Sequence, residues 1–134
     1  GPPHLVDTVS RIGLTFPLAT PSLHAAVAAL QDREHRDYVR NETVLLRNEV
    51  TQKLGKAGIY VYPGHGNFIL MEMAGPKSLA REMDTALRAE GISLRRFASP
   101  AFDRCLRMTL GRHSETRTAA DKIVKLYADM RGEG

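Results

Sequence analysis

An arginine inside an apolar run has the clearest chemical implication in this sequence of 134 residues. The segment CLRMTL predicts a strand, in which alternation sends Leu106 and Met108 to one face and Arg107 to the other. A guanidinium on such a strand costs free energy unless an anion meets it. That anion is either a carboxylate of the chain, such as Glu115 or Asp103, or a ligand, because the planar fork of arginine matches a carboxylate. The spacing leaves both interpretations open.

The five histidines and the one cysteine are not spaced as metal ligands. No two histidines lie four residues apart and no HExxH motif occurs, so we expect no metal site. A catalytic triad assembled in space stays open, but no G-x-S-x-G motif points to one. The Gly64–Gly66 segment lacks the spacing of a phosphate-binding loop and predicts a turn. We therefore assign no catalytic residue from these motifs.

The basic charge of the chain raises the question of a polyanionic partner. The net charge is +4, and Arg33, Arg36, Arg40 and Arg47 could form a stripe on one helix. Acidic residues interleave with them, which favours a solvated helix face, and no RNP sequence, zinc-finger spacing or basic zipper accompanies the stripe. We expect no nucleic-acid partner. A basic, non-catalytic interaction module that binds an acidic partner remains the alternative function.

Composition indicates an ordinary globular protein, with 43% hydrophobic and 25% charged residues. No apolar run is long enough to cross a bilayer, and the first residues lack the apolar stretch of a signal peptide, so no membrane association is expected. The single cysteine, Cys105, cannot form an internal disulfide, which suits a reducing compartment. These features together predict a cytoplasmic location.

The elements that must position Arg107 follow from periodicity and from proline and glycine punctuation. Helices are predicted over residues 4–12, from Thr20 to Gly55 with a break near Asp32, from Pro76 to Gly91, and from Ser114 onward. Strands are predicted over residues 59–62, 67–73, 93–97 and 105–110. This order predicts an α+β fold: a small mixed or antiparallel sheet of about four strands with helices packed on it, preceded by a long N-terminal helical segment.

Four segments, taken in order, resemble one known family. Phe16-Pro17 precedes an alanine-rich helix that ends in AALQD, and Gly66-Asn67-Phe68-Ile69-Leu70 resembles an NF-[IL]-L strand. Further on, GISLR at 91–95 resembles GI-x-[VL]-R, and LRMTLG at 106–111 resembles LRITIG. These segments cover nearly the whole chain. They resemble the C-terminal small domain of fold-type-I pyridoxal-phosphate aminotransferases, closest to histidinol-phosphate aminotransferase.

The resemblance implies roles for particular residues. Arg107 corresponds to the arginine that holds the α-carboxylate of the substrate, and Arg95 to a position that helps to bind the distal phosphate of phosphate-bearing substrates. Arg96 departs from the acidic residue that some members carry beside it, which leaves the substrate open. Asn67 and Phe68 would lie close to the active-site cleft, so the implied substrate-binding residues are Arg107, Arg95 and Asn67.

The resemblance also shows what this chain lacks. Family members use a lysine that binds the cofactor covalently and moves protons. The lysines of this chain do not follow the family's [ST]-x-x-K spacing; they are Lys53, Lys56, Lys77, Lys122 and Lys125. We expect no pyridoxal phosphate bound to the chain alone and no activity in isolation. A fragment of a longer enzyme is favoured over a stand-alone descendant that has lost catalysis.

The resemblance implies a domain plan and partners as well. Residues 1–19 would connect to a large cofactor-binding domain, and 20–134 would form the small domain. The parent would be a homodimer that transfers an amino group between an amino acid or amino-alcohol phosphate and a 2-oxo acid. A decarboxylase or lyase of the same fold is the alternative within this class, since reaction type depends on residues around the missing lysine.

Overall fold

The computed structural model describes residues 1–13 and 18–132. Contacts divide the chain into two compact units, Gly1–Val39 and Arg40–Gly134. The helices are α1 (Pro3–Ile12), α2 (Thr20–Gln31), α3 (Arg33–Lys56), α4 (Leu79–Ala89) and α5 (His113–Arg131). The strands are β1 (Tyr60–Val61), β2 (Phe68–Glu72) and β3 (Cys105–Thr109). The predicted domain boundary after residue 19 stays a prediction.

The first unit consists of helices whose described residues are all exposed. Both α1 and α2 carry a proline in the first turn, where its missing N–H costs no hydrogen bond. At Asp32 the backbone leaves the helical region, with ψ of 81°. The Asp32 carboxylate then accepts a hydrogen bond from the backbone N–H of His35 at 3.0 Å, which caps the start of α3. The predicted break near Asp32 is confirmed.

The second unit is built on a three-stranded antiparallel sheet in the order β1-β2-β3. Its central register pairs Leu70 with Arg107 and Met71 with Leu106. Because side chains alternate along a strand, one face of the sheet is apolar and buried. That face packs with residues of α3, α4 and α5 in a single core; its members from the sheet are Ile69, Met71, Leu106 and Met108. The α+β fold class is confirmed.

The predicted fourth strand, 93–97, does not form. Its only pairing is an isolated bridge between Arg95 and Arg107, in which each backbone N–H donates to the other carbonyl at 3.0 Å. Backbone groups on the N-terminal side have other partners: the Ile92 N–H donates to Leu87 O at 2.9 Å, and the Leu94 carbonyl accepts from the Arg88 side chain. The segment therefore stays attached to the end of α4, and the sheet has three strands instead of about four.

Ion pairs join the exposed sides of α3 and α5. The Arg117 guanidinium donates two hydrogen bonds of 2.8 Å to the Glu49 carboxylate, and Lys53 contacts Asp121 at 2.5 Å. The bidentate contact with Arg117 lowers the pKa of Glu49. The Arg117–Glu49 pair is solvent-exposed and contributes little to stability. The buried apolar faces of α3 and α5 are therefore what mainly holds these helices in the fold.

The predicted basic stripe is not a uniform charged surface. Arg47 is half-buried and donates to the backbone carbonyl of His65 at 2.9 Å and also to that of Gly66. Arg36 contacts the neighbouring Asp37 at 3.4 Å. Within residues 1–13 and 18–132, no helix combines the length and apolar character that crossing a membrane requires.

Truncating the buried side of α3 should destabilise the chain far more than truncating its exposed side. Leu54 is fully buried, whereas Leu45 on the same helix is 61% exposed. We expect Leu54→Ala to lower the free energy of unfolding by about 2–5 kcal/mol, through lost burial and a cavity. The matched control Leu45→Ala should change it by less than about 0.5 kcal/mol. Urea denaturation followed by circular dichroism measures both, and equal losses would contradict this packing.

Candidate functional site

Arg107 lies on the face of the sheet opposite the core. It is paired across β3 and β2 with Leu70, and on its other side it is bridged to Arg95. Residues directly opposite each other in an antiparallel pair point to the same face. The two arginines are therefore neighbours on one sheet face, as the position of each in the register requires.

The half-buried side chain of Arg107 is held by an aromatic ring. Its Cζ lies 4.9 Å from the centre of the Phe68 ring, a cation–π contact. No carboxylate among the described residues pairs with it: Glu115 contacts Arg112 at 3.5 Å, and Asp103 takes no part in an ion pair. The internal salt bridge considered for Arg107 is thus absent from the described chain. Its guanidinium edges are available to an anion from outside.

Arg95 and Arg96 are exposed at the start of the loop that leads to a short 3-10 turn, Pro100–Phe102. The side chains of both lack an ion-pair partner within the described residues. Only Arg95 shares the bridge with Arg107. The structure therefore brings Arg95 and Arg107 together, and their roles in substrate binding stay predictions.

Asn67 directly precedes β2, next to Phe68. Its side chain is exposed, and its backbone carbonyl accepts a hydrogen bond of 2.8 Å from the Leu110 N–H at the end of β3. The loop before it is held by Arg47 through the carbonyls of His65 and Gly66. Asn67 is thus fixed at the same end of the sheet as Phe68 and Thr109, which are register partners.

A tyrosine and a carboxylate extend this face, and neither was predicted from the sequence. Tyr62 donates a hydrogen bond of 2.5 Å to Glu72, and the Tyr60 and Tyr62 rings meet edge to face at 4.9 Å. The bond to Glu72 raises the pKa of Tyr62 to about 12. Strand spacing could have indicated this contact. A side chain can reach diagonally to the residue two positions beyond its direct partner on the neighbouring strand. The same rule accounts for the contact of Phe68 with Arg107.

Four of the five lysines lie on helices that pack on the face of the sheet opposite Arg107. Lys53 and Lys56 belong to α3, and Lys122 and Lys125 to α5. Lys53 and Lys122 are also engaged in ion pairs, and Lys77 precedes α4. These four lysines are therefore not on the face where a cofactor lysine would meet a substrate held by Arg107. Over residues 1–13 and 18–132, no cluster of three or more His, Cys, Asp and Glu side chains could hold a metal ion.

A separate cavity of about 520 Å³ lies between the end of α4, the end of β3 and the start of α5. Its apolar lining includes Ile92, Leu94 and Met108. No lysine, arginine or histidine lines it among the residues that the structure describes. The cavity therefore lacks the positive charge that an anionic ligand needs, and Arg107 remains the centre of the candidate site.

A family model, aminotransferase class I and II, matches residues 1–123. The chain belongs to this family. The match extends over most of the chain. Two of the motifs lie in the sheet, 66–70 at the start of β2 and 106–111 in and beyond β3, and the 91–95 motif is joined to β3 by the bridge of Arg95 to Arg107. The Phe16-Pro17 pair of the first motif lies outside the described residues.

Individual relatives are histidinol-phosphate aminotransferases. That of Rhodospirillum rubrum is 37% identical over 136 residues, covering 100% of this chain and 36% of the relative. That of Rhodopseudomonas palustris strain BisB5 is 39% identical over 112 residues, covering 83% of this chain and 31% of the relative. The chain thus spans about a third of the length of the curated relatives it matches.

Solved structures also match nearly the whole of this chain over about a third of their own length. The chain superimposes with a TM-score of 0.77 on the histidinol-phosphate aminotransferase of Sinorhizobium meliloti, which was solved in complex with pyridoxal-5'-phosphate. That match covers 96% of this chain and 35% of the neighbour, at 21% identity. It establishes the fold of an aminotransferase domain.

The bond between Tyr62 and Glu72 should be visible in the titration of the phenol. We expect Glu72→Gln to lower the pKa of Tyr62 from about 12 toward its ordinary value of about 10, because the charged acceptor disfavours the phenolate. In the native chain the stabilisation from this bond is full below pH 10 and is lost as the pH rises through about 12. Ultraviolet absorbance of the phenolate measures the shift, and Tyr62→Phe assigns it.

Glu90→Gln is the matched control for this titration. It removes one carboxylate that contacts Lys122 and has no tyrosine contact in the described chain. Glu90→Gln should leave the pKa of Tyr62 at about 12. An unchanged titration in Glu72→Gln would show that the hydrogen bond is absent in solution.

Proposed function

We propose that this chain is the substrate-binding small domain of a pyridoxal-phosphate aminotransferase of the histidinol-phosphate type. The observation that carries the proposal is Arg107: a half-buried guanidinium on the open face of the sheet, with no counter-ion in the described chain. Membership of the family and the span of about a third of its relatives support a domain that works with others. Residues 1–19 would connect to the large domain and 20–134 would form the small one.

Each residue of the site has a role that its chemistry suits. Arg107 binds the α-carboxylate of an amino acid or 2-oxo acid through two parallel hydrogen bonds. Phe68 stacks on the guanidinium and limits its rotation. Arg95 binds the distal anionic group of an amino-alcohol phosphate, and Asn67 lines the cleft beside the start of β2. Closure of this domain over the substrate would exclude water from the site.

The cofactor would belong to the large domain. Pyridoxal phosphate, when bound there, supplies the electron sink for amino transfer. The chain described here supplies binding and orientation. A homodimeric, cytoplasmic parent is part of the same proposal: the homodimer follows from the resemblance, and the location from composition and the single cysteine.

The first test is whether the chain alone carries a cofactor lysine. We expect titration with pyridoxal phosphate, followed by borohydride reduction and peptide mass analysis, to give no stoichiometric adduct on any of the five lysines. The complete enzyme of Rhodospirillum rubrum serves as the positive control. A stoichiometric adduct on one lysine of the isolated chain would show that it holds a complete cofactor site, and the proposal of a substrate-binding domain would be wrong.

The second test removes the carboxylate-binding group. The variant is made in a polypeptide that joins this chain to a cofactor-binding domain. We expect Arg107→Ala to lower kcat/KM, mainly by raising KM, by an amount that corresponds to about 2–4 kcal/mol of activation free energy. The matched control Arg104→Ala removes an equal charge from an exposed neighbour and should leave kcat/KM within about twofold. Unchanged kinetics in Arg107→Ala would remove it from the site.

The products separate the related reaction types. An aminotransferase converts a 2-oxo acid into its amino acid as the donor is consumed, whereas a decarboxylase releases carbon dioxide and a lyase releases a fragment of the substrate. Carbon dioxide release without amino transfer would replace the proposed activity by the decarboxylase alternative.

A further inference from the structure

One arginine of α4 contacts the segment that carries Arg95. The Nε of Arg88 donates to the Asp84 carboxylate at 3.0 Å, and its Nη2 donates to the backbone carbonyl of Leu94 at 3.3 Å. Leu94 directly precedes Arg95. A single guanidinium thus connects the helix to the backbone next to a proposed substrate-binding residue.

Asp84 keeps this guanidinium in place. Asp84 is only 7% exposed, and its Oδ1 is buried without a hydrogen-bond partner in the described chain. Arg88 is the one residue whose side chain is paired with Asp84 there. The Arg88 side chain is 54% exposed and the Asp84 side chain 9%, so moving Arg88 away would leave a buried carboxylate unpaired. The Arg88 side chain is therefore constrained at its Nε while Nη2 reaches the loop.

The segment needs such an attachment because it is not part of the sheet ladder. Arg107 lies within a strand that pairs over five residues with β2, whereas Arg95 is joined to the sheet only by its bridge to Arg107. The Leu94 side chain is buried, and the Leu94 carbonyl accepts a hydrogen bond from Arg88. This contact fixes the backbone that precedes Arg95, whereas the loop follows Arg95. The position of Arg95 thus depends on few contacts, and Arg88 makes one of them.

We propose that Arg88, held by Asp84, is a positioning residue that fixes Arg95 beside Arg107. The inference rests on the proposed function for the role of Arg95 in binding the distal anionic group. Arg88 acts through the Leu94 backbone and does not contact the substrate. Its loss would leave Arg107 in its strand and would release Arg95.

Amide hydrogen exchange on the 134-residue chain tests the positioning without any activity. The variant is Arg88→Lys, which keeps a cation beside Asp84 but lacks the fork that reaches Leu94 as well. We expect the amides of Arg95 and Arg107, which protect each other in the bridge, to exchange about tenfold faster. The Leu110 amide, which donates to Asn67 at 2.8 Å, should keep its rate.

Two further variants serve as controls for the exchange measurement. Arg81→Lys makes the same change at an exposed arginine of the same helix and should alter none of these rates. Arg88→Ala leaves the Asp84 carboxylate unpaired, so its thermal unfolding reports the cost of that burial separately. Unchanged exchange of the Arg95 and Arg107 amides in Arg88→Lys would overturn the positioning role.

Kinetics in the polypeptide that includes the cofactor-binding domain test the consequence for binding. We expect Arg88→Lys to raise KM for a phosphate-bearing amino donor by about fivefold, with KM for a 2-oxo acid without phosphate and kcat both within about twofold. A merely structural role would lower kcat for both substrates together, and that result would overturn the proposal. Wild-type protein that fails to transaminate would defeat the proposed function, and the exchange rates would then decide the positioning role alone.

Discussion

The antiparallel pairing of β2 with β3 is the constraint on which the rest of the second unit depends. Its register places Leu70 opposite Arg107, so that Met71 and Leu106 point into the core while the guanidinium points away from it. A slip of one residue would exchange the two faces, burying Arg107 and exposing Leu106. Core packing and the candidate site are therefore specified by the same strand alignment.

The two faces of the sheet differ in composition. Helices α3, α4 and α5 cover the apolar face with a continuous core. The other face carries Arg107, Arg95, Phe68 and the pair of Tyr62 with Glu72. Under the proposed function these groups would bind and orient the substrate, and none of them is a lysine. The family to which the chain belongs and its span of about a third of the relatives agree with a domain that completes its site elsewhere.

Period-two patterning was sufficient to predict which face Arg107 occupies, because an arginine flanked by Leu106 and Met108 has one low-energy orientation. The same patterning failed at 93–97. There the carbonyl of Leu94 accepts a hydrogen bond from the side chain of Arg88, six residues earlier in α4, a contact that hydrophobic periodicity does not indicate. The cation–π contact with Phe68 was also beyond sequence reasoning, since it requires the register of two strands. The fold class needed only local patterns, whereas the contacts that shape the site needed the pairing.

The bridge between Arg95 and Arg107 places two positive charges opposite each other across a pair of strands. Like charges opposite each other repel, so the bridge between Arg95 and Arg107 carries an electrostatic cost. Under the proposed function, the carboxylate and the distal anionic group of one substrate would each neutralise one of these two charges. Substrate binding and the stability of the bridge would then be thermodynamically linked.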